Sequence, residues 1–169
     1  MAEYNRWMNT RLYDAAAKLT EPQLFADRGA FFGSLFDTLN HIVVADTTWL
    51  HRFASHPELG WMIDRMNLFP RPASLTQRLA HSLAHLREHR EKTDTVIVEL
   101  ASRLTEGQLA STLRYSNMAG QQQAKSLGPL VQHLFNHQTH HRGQATTLLF
   151  QAGVDVGVTD LVAVIPGEV

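Results

Sequence analysis

The chain has 169 residues, of which 44% are hydrophobic, and a formal net charge of −1 at pH 7, as is typical of one globular domain spanning residues 1–169. It contains no cysteine, so disulfides, thiolate metal ligands and cysteine nucleophiles are excluded. The near-neutral charge argues against nucleic-acid binding, and the absence of an apolar run near about 18 residues argues against a membrane partner. No leader pattern is evident at the N-terminus, so a cytoplasmic location is expected.

The first third of the chain predicts two long amphipathic helices. Apolar residues recur at three- and four-residue spacing over 3–19, and a broader apolar face runs over 31–54, with a linker predicted at 23–30. On the second helix, His41 lies at the edge of the apolar face, which favours a solvated side chain. Asp46 instead projects onto the apolar side, where a carboxylate needs a cation or several hydrogen-bond donors.

The middle of the chain predicts a loop followed by a third helix. Residues 58–73 contain prolines, a glycine and isolated apolar side chains, which predicts a long loop packed over one end of a bundle. A capping-box pattern at Ser74 predicts that the third helix covers 74–102. This helix carries three histidines at four-residue spacing: His81, His85 and His89. They do not share its apolar face, so solvated side chains are favoured over metal ligands.

The last part of the chain predicts a hairpin and a fourth helix. Residues 111–116 alternate with period two and precede an Asn-Met-Ala-Gly turn, so a short hairpin is expected. The fourth helix is predicted over 126–152, and the apolar segment 161–166 predicts a helical turn. The expected fold is therefore all-α: a four-helix bundle with a hairpin-like excursion between helices 3 and 4 and a small C-terminal helical segment.

The fourth helix carries the strongest functional signal. His137 and His141 lie one turn apart on the stripe that must be buried. Two desolvated imidazoles disfavour protonation, and a divalent cation would satisfy both, although hydrogen bonds within the core are an alternative. His133 continues the stripe, so His133 with His137 is an alternative pair. His140 points to the side and is expected to be solvated.

Three sequence blocks resemble the DinB family of damage-inducible four-helix-bundle proteins. The blocks are Tyr4-Asn5-x-Trp7-x-Asn9, the stretch from Gly33-Ser34 through Thr38-Leu39-Asn40-His41-Ile42 to Ala45-Asp46 and Trp49, and His137-x-x-x-His141-Arg142-Gly143-Gln144. The resemblance covers nearly the whole chain. In that family three histidines hold a divalent metal with solvent in the open positions. The resemblance therefore implies that His41, His137 and His141 are the metal ligands.

The resemblance leaves two classes of function open. The wider superfamily includes thiol transferases, which implies a metal-dependent enzyme that activates a low-molecular-weight thiol or water toward a small electrophilic substrate. The alternative is a non-enzymatic, stress-linked binding protein with a structural or vestigial metal site. Imidazole ligands suit zinc and nickel, which are expected first, and also iron and manganese. No catalytic residue is predicted beyond the ligands, and a pocket lined by 58–73 that reaches the metal would favour the enzyme.

Two further predictions concern packing. Asp46 and Arg142 each follow a proposed ligand by five residues on an apolar face, so we expect them to form a buried ion pair. The alternative is that Arg142 reaches solvent while Asp46 binds a backbone group or Arg52. Exposed apolar side chains along the first helix or over 61–69 would provide a symmetric patch, so a homodimer is expected.

Overall fold

Four long helices carry about half of the chain in a computed structural model, which describes residues 1–167. In chain order, the helices are α1 (Ala2–Ala16), α2 (Glu21–Phe25), α3 (Leu35–Ala54), α4 (Met62–Met66), α5 (Leu83–Arg103), α6 (Glu106–Ala110) and α7 (Leu127–Gln151). Short 3-10 helices cover Pro57–Leu59 and Leu161–Val164. The predicted all-α bundle with a small C-terminal helical segment is confirmed. None of the helices in this range is both long and apolar enough to cross a bilayer.

The predicted hairpin is also present. Its strands, β1 (Thr112–Ser116) and β2 (Gln122–Ser126), pair antiparallel in continuous register between α6 and α7. The turn contains Gly120 at φ +77, a conformation that favours glycine. The Asn117 side chain stabilises the turn by accepting hydrogen bonds from two backbone amides. Leu113 is fully buried, so the hairpin packs against the bundle.

Two long helices begin later than the sequence pattern predicts. The predicted start of α3 at residue 31 is wrong, because Ser34 caps the helix by accepting a hydrogen bond from the third following amide. The predicted start of α5 at residue 74 is also wrong, because Ser82 is its cap. The predicted capping box contributes instead to an irregular turn over α3, in which the carbonyl of Gln77 accepts a hydrogen bond from Asn40.

Three connections also differ from their predictions. The first helix ends at residue 16 rather than 19. The predicted linker at 23–30 overlaps α2, which has its own capping box formed by Thr20 and Gln23. The predicted loop at 58–73 contains α4. Helices of five residues show too little periodicity to be separated from loops by sequence pattern.

A layer of buried polar residues separates two apolar clusters of the core. One cluster includes Leu12, Phe36, Leu86 and Leu148, and the other includes Leu50, Phe53, Ile97 and Leu134. On each long helix, the polar residues fall between the members of the two clusters. We call this set the polar layer: Asn5, Asn9, Asp46, Arg90, Asp94, Gln138 and Arg142.

The partners of the two charged residues that the sequence singled out differ from the prediction. Asp46 pairs with Arg90 on α5, at 2.5 Å between Oδ2 and Nη1, so the predicted Asp46–Arg142 ion pair is wrong. Arg90 also lies 3.0 Å from Asp94. Arg142 donates a hydrogen bond to Asn5 on α1, and its guanidinium lies over the Tyr4 ring. Each charge is on the apolar side as expected, but a helical wheel does not tell which neighbouring helix supplies the partner.

Candidate metal centre

The structure brings three predicted site residues together. His41 on α3 meets His137 and His141 on α7. Nε2 of His137 lies 3.3 Å from Nε2 of His41 and 3.1 Å from Nε2 of His141. A metal about 2.1 Å from two nitrogens holds them about 3.0 to 3.4 Å apart at bond angles between about 90° and tetrahedral. One ion could therefore contact all three rings, and their role as ligands stays a prediction.

Two of these rings are oriented by hydrogen bonds at the nitrogen that faces away from the cluster. Nδ1 of His41 donates to the carbonyl of Leu75 at 3.0 Å, and Nδ1 of His141 donates to Oε1 of Gln144 at 2.7 Å. With the proton on Nδ1, each Nε2 keeps a lone pair directed into the cluster. Both lone pairs lie close to Nε2 of His137, and lone pairs that face one another repel unless a proton or a cation lies between them. The three nitrogens therefore fit a divalent metal.

All three rings are in the protonation state that metal binding requires. Burial, and then repulsion between the neighbouring histidines, lowers the pKa of His137 to about 3. Burial also lowers the pKa of His41 and that of His141. The three imidazoles are therefore neutral at pH 7. Nδ1 of His137 is buried and has no hydrogen-bond partner within residues 1–167.

His41 is buried although its position on the helical wheel favoured a solvated side chain. It is only 6% exposed. The ring of Phe32 stacks on it with 4.1 Å between the ring centroids, and the carbonyl of Leu75 lies against the edge of the ring, where it accepts the hydrogen bond from Nδ1. Both covering residues come from irregular segments outside the long helices. The wheel, which describes one helix, does not include such segments.

The other histidines do not join the cluster. The His133 ring is solvent-exposed, with its centroid 5.8 Å from that of His137, so the alternative pair is not supported. Among residues 1–167, the three-histidine cluster is the one group whose ligand atoms lie close enough together to hold a metal. Of the three histidines predicted on the third helix, His81 lies before the start of α5. His81 and His85 are exposed as expected, and His89 is half-buried. His140 is exposed, as expected.

A cavity of about 360 Å³ opens beside the cluster and makes it accessible from solvent. Its lining includes His41 and His137, together with residues of α3 and of the hairpin. The segment 58–73 does not line it and reaches only an adjoining cavity of about 240 Å³, through Arg71 and Pro72. The cluster is therefore reached through a cavity lined by the hairpin, and not through the pocket lined by 58–73 that would have favoured an enzyme.

The polar layer contacts α7, the helix that carries His137 and His141. Oε1 of Gln138 accepts hydrogen bonds from Asn5 and Asn9 on α1 and from Arg142 one turn further along α7. Asn9 also donates to Asp94 at 2.9 Å. These bonds fix the rotation of α7 about its axis, so they determine where its histidines point.

Two supporting groups were missed by the sequence reasoning. Gln144 follows His141 by three residues, a spacing at which helical side chains meet, so its contact with Nδ1 was predictable from the sequence. The Leu75 carbonyl had no such signal, because it belongs to an irregular segment 34 residues away along the chain.

Comparisons with known proteins agree with the sequence motifs. A model of the DinB family matches residues 1–167. The chain is 25% identical over 171 aligned positions to Protein DinB of Bacillus subtilis (strain 168), and the alignment covers 94% of this chain and 87% of that protein.

Proposed function

The chain belongs to the DinB family, and on that basis we propose that it binds one divalent metal through His41, His137 and His141 and uses it to activate a low-molecular-weight thiol or water. The observation that carries the proposal is the convergence of three Nε2 atoms beside a solvent-accessible cavity. Structural zinc sites are closed by four protein ligands, whereas catalytic sites keep a position open. Three ligands beside a cavity support the second arrangement.

The bound ion would act as a Lewis acid that lowers the pKa of a thiol or water molecule in the open position. The protein's own groups hold the imidazoles in place for this task. The Leu75 carbonyl and the Gln144 side chain keep two Nε2 lone pairs directed inward, and Phe32 excludes water from one face of His41. Zinc and nickel are the metals we propose first, and iron and manganese also accept imidazole.

His133 is the proposed proton acceptor. It lines the same cavity as His137, and its pKa is lowered by the partial desolvation of its ring and by the positive charges of Arg52 and Lys125. A neutral imidazole can accept the proton that leaves the thiol sulfur or the water and, being exposed, can release it to solvent. Because the chain has no cysteine, the nucleophilic sulfur would belong to the thiol substrate and would attack a small electrophile.

Metal titration tests the first half of this proposal. Protein purified without a nickel column and stripped with a chelator should bind one equivalent of Zn²⁺ or Co²⁺ per chain. His41→Ala, His137→Ala and His141→Ala should each lose most of that affinity, since each removes one of three ligands. His85→Ala is the matched control, because His85 is an exposed histidine on α5. Equal affinity in all four variants would contradict the site.

The Co²⁺-loaded protein tests the open position. Addition of 2-mercaptoethanol should produce a thiolate-to-cobalt absorption band in the near ultraviolet, because sulfur enters the coordination sphere. His133→Ala should keep the metal and the band but form the band more slowly after rapid mixing, since the proton acceptor is lost. A cobalt spectrum that does not respond to thiol at any concentration would argue for a closed, structural site.

We also propose that the chain forms a homodimer. Ile63 and Leu68, in the segment that the sequence analysis assigned to a symmetric patch, are 50% and 84% exposed. Apolar side chains at that exposure are stabilised when a second copy covers them. Sedimentation should give twice the 19.0 kDa chain mass, and Leu68→Glu should shift it toward one chain. A parent protein that sediments as a monomer at micromolar concentration would overturn this proposal.

A further inference from the structure

Arg52 occupies an unusual position in the wall of the cavity beside the histidine cluster. It follows His41 by eleven residues on α3, which is about three turns and places the two within about 20° of one face. Its guanidinium carbon lies 4.6 Å from the centre of the Trp49 ring and 5.0 Å from the centre of the Tyr115 ring. These contacts with α3 and the hairpin place the guanidinium beside a pair of aromatic rings whose centres are 5.4 Å apart. The N–H groups at its edges remain free to donate hydrogen bonds.

Among the residues that the structure describes, this cation has no carboxylate partner. Within residues 1–167, neither Arg52 nor Arg71 forms a salt bridge, in contrast to Arg78 and Arg90. The two adjoining cavities that Arg52 lines have no Asp or Glu in their described walls. Burial lowers the pKa of Arg52, because a half-buried cation is poorly solvated. A ligand that supplies negative charge would therefore be stabilised there.

The cavity connects Arg52 to the histidine cluster over a distance that a medium-sized molecule can span. Eleven helical residues span about 16 Å, and both side chains lean toward the N-terminus of α3, with the longer Arg52 side chain reaching further, so about 11 to 16 Å separates the two groups. The two cavities, of about 360 and 240 Å³, share Thr48, Arg52, Tyr115 and Met118 in their walls. Ligand sites in proteins typically have volumes of about 300 to 1,000 Å³. An extended ligand can reach both ends.

We propose that Arg52 is the anion-binding end of an elongated substrate site and that it binds a carboxylate of a molecule whose other end reaches the histidine cluster. The planar guanidinium, which lies beside two aromatic rings, can present two N–H groups to both carboxylate oxygens. Arg71, on the rim of the adjoining cavity, adds positive charge that attracts such a ligand. The identity of the reactive end rests on the function proposed above, whereas the carboxylate contact does not.

A matched pair of thiols tests the contact. Glutathione and its diethyl ester share the same thiol and backbone, but the ester has no free carboxylate. With Co²⁺-loaded protein and the thiolate-to-cobalt band as the readout, glutathione should bind at least about tenfold more tightly than the ester, as expected for a charge-assisted hydrogen bond. Arg52→Met, which keeps an aliphatic stem, should reduce that preference to about threefold or less. The affinity for the ester and for Co²⁺ should not change.

The control variant is Arg114→Met. Arg114 precedes Tyr115 on β1, is exposed and does not line either cavity, so its loss removes one positive charge beside the cleft without removing the contact. This variant should keep the preference for the free acid. An equal preference in Arg52→Met and in the parent, or no preference in the parent, would overturn the proposal.

A third ligand separates this proposal from the proposed thiol chemistry. S-Methylglutathione has both carboxylates but no thiol, so it cannot give the cobalt band, and its binding is measured by calorimetry. Suppose that no thiol gives the band, but S-methylglutathione binds and Arg52→Met removes that binding. Thiol activation then fails, whereas the carboxylate site stands, with the electrophile as its ligand. If S-methylglutathione and glutathione both bind independently of Arg52, the carboxylate site fails.

Discussion

Replacement of Arg90 by methionine should destabilise the protein strongly. Arg90 is 2% exposed and lies between two buried carboxylates, at 2.5 Å from Asp46 and 3.0 Å from Asp94. Methionine keeps most of the apolar stem but leaves both carboxylates without their cation. Removal of one partner of a buried ion pair costs about 3 to 5 kcal/mol. For a chain of this size, each kcal/mol lowers the melting temperature by about 2 to 4 °C, so a decrease of about 6 to 20 °C is expected.

The control is on the same helix. Arg87 also pairs with two carboxylates, those of Asp14 at 2.7 Å and Glu91 at 2.9 Å, but its side chain is 35% exposed. Exposed pairs contribute about 0 to 1 kcal/mol each, so Arg87→Met should be close to the parent in urea denaturation followed by far-ultraviolet circular dichroism. If Arg90→Met loses no more stability than Arg87→Met, burial does not determine the strength of these pairs and the reasoning is refuted.

The pH dependence gives an independent check of the same reasoning. Burial raises the pKa of Asp46 to about 7, against the opposing charge of Arg90. Loss of Arg90 should raise that pKa further. An acid whose pKa is higher in the folded state than in the unfolded state contributes stability at low pH that is lost as the pH rises through the folded pKa. Arg90→Met should therefore lose more stability relative to the parent at pH 8 than at pH 5, and Asp46→Asn added to it should reduce that difference.

Three further outcomes concern the histidine cluster. Three imidazoles of ordinary pKa would lose about 50-fold in metal affinity between pH 7.5 and pH 6. The low pKa of His137 removes one of these three protonation steps, and the pKa values of His41 and His141 are lowered too, so the loss should stay below about 15-fold, measured by competition with a chelating indicator. The metal-free protein should lose stability as the pH falls below about 6.5 and continue to lose it toward the pKa of His137, because the unfolded chain takes up protons that the folded cluster resists. Chemical denaturation at a series of pH values measures this loss, and a flat profile would contradict the lowered pKa values. Gln144→Ala should weaken Zn²⁺ binding by about tenfold or more, while Gln151→Ala at the exposed end of α7 should not; equal affinities would show that the orienting bond is unimportant.

The sequence by itself determined the features that depend on one helix or one turn. The i, i+4 relation of His137 and His141 follows from helical geometry alone, and the apolar spacing around them predicted the face that is buried. The Asn-Met-Ala-Gly turn predicted the hairpin, because its glycine adopts a conformation that other residues disfavour. The ligand role of His41, in contrast, was implied only by family resemblance, and the wheel opposed it.

Only the tertiary structure decided which groups meet across elements. His41 is buried because Phe32 and the Leu75 backbone, both in irregular segments, pack on it. Asp46 pairs with Arg90 rather than Arg142 because α5, and not α7, brings a guanidinium to its carboxylate. Periodicity reports which face of a helix avoids water, and it contains no information about the rotation and register of the neighbouring helices. The packing of the whole bundle sets that rotation and register, and it therefore determines which partner each buried charge meets.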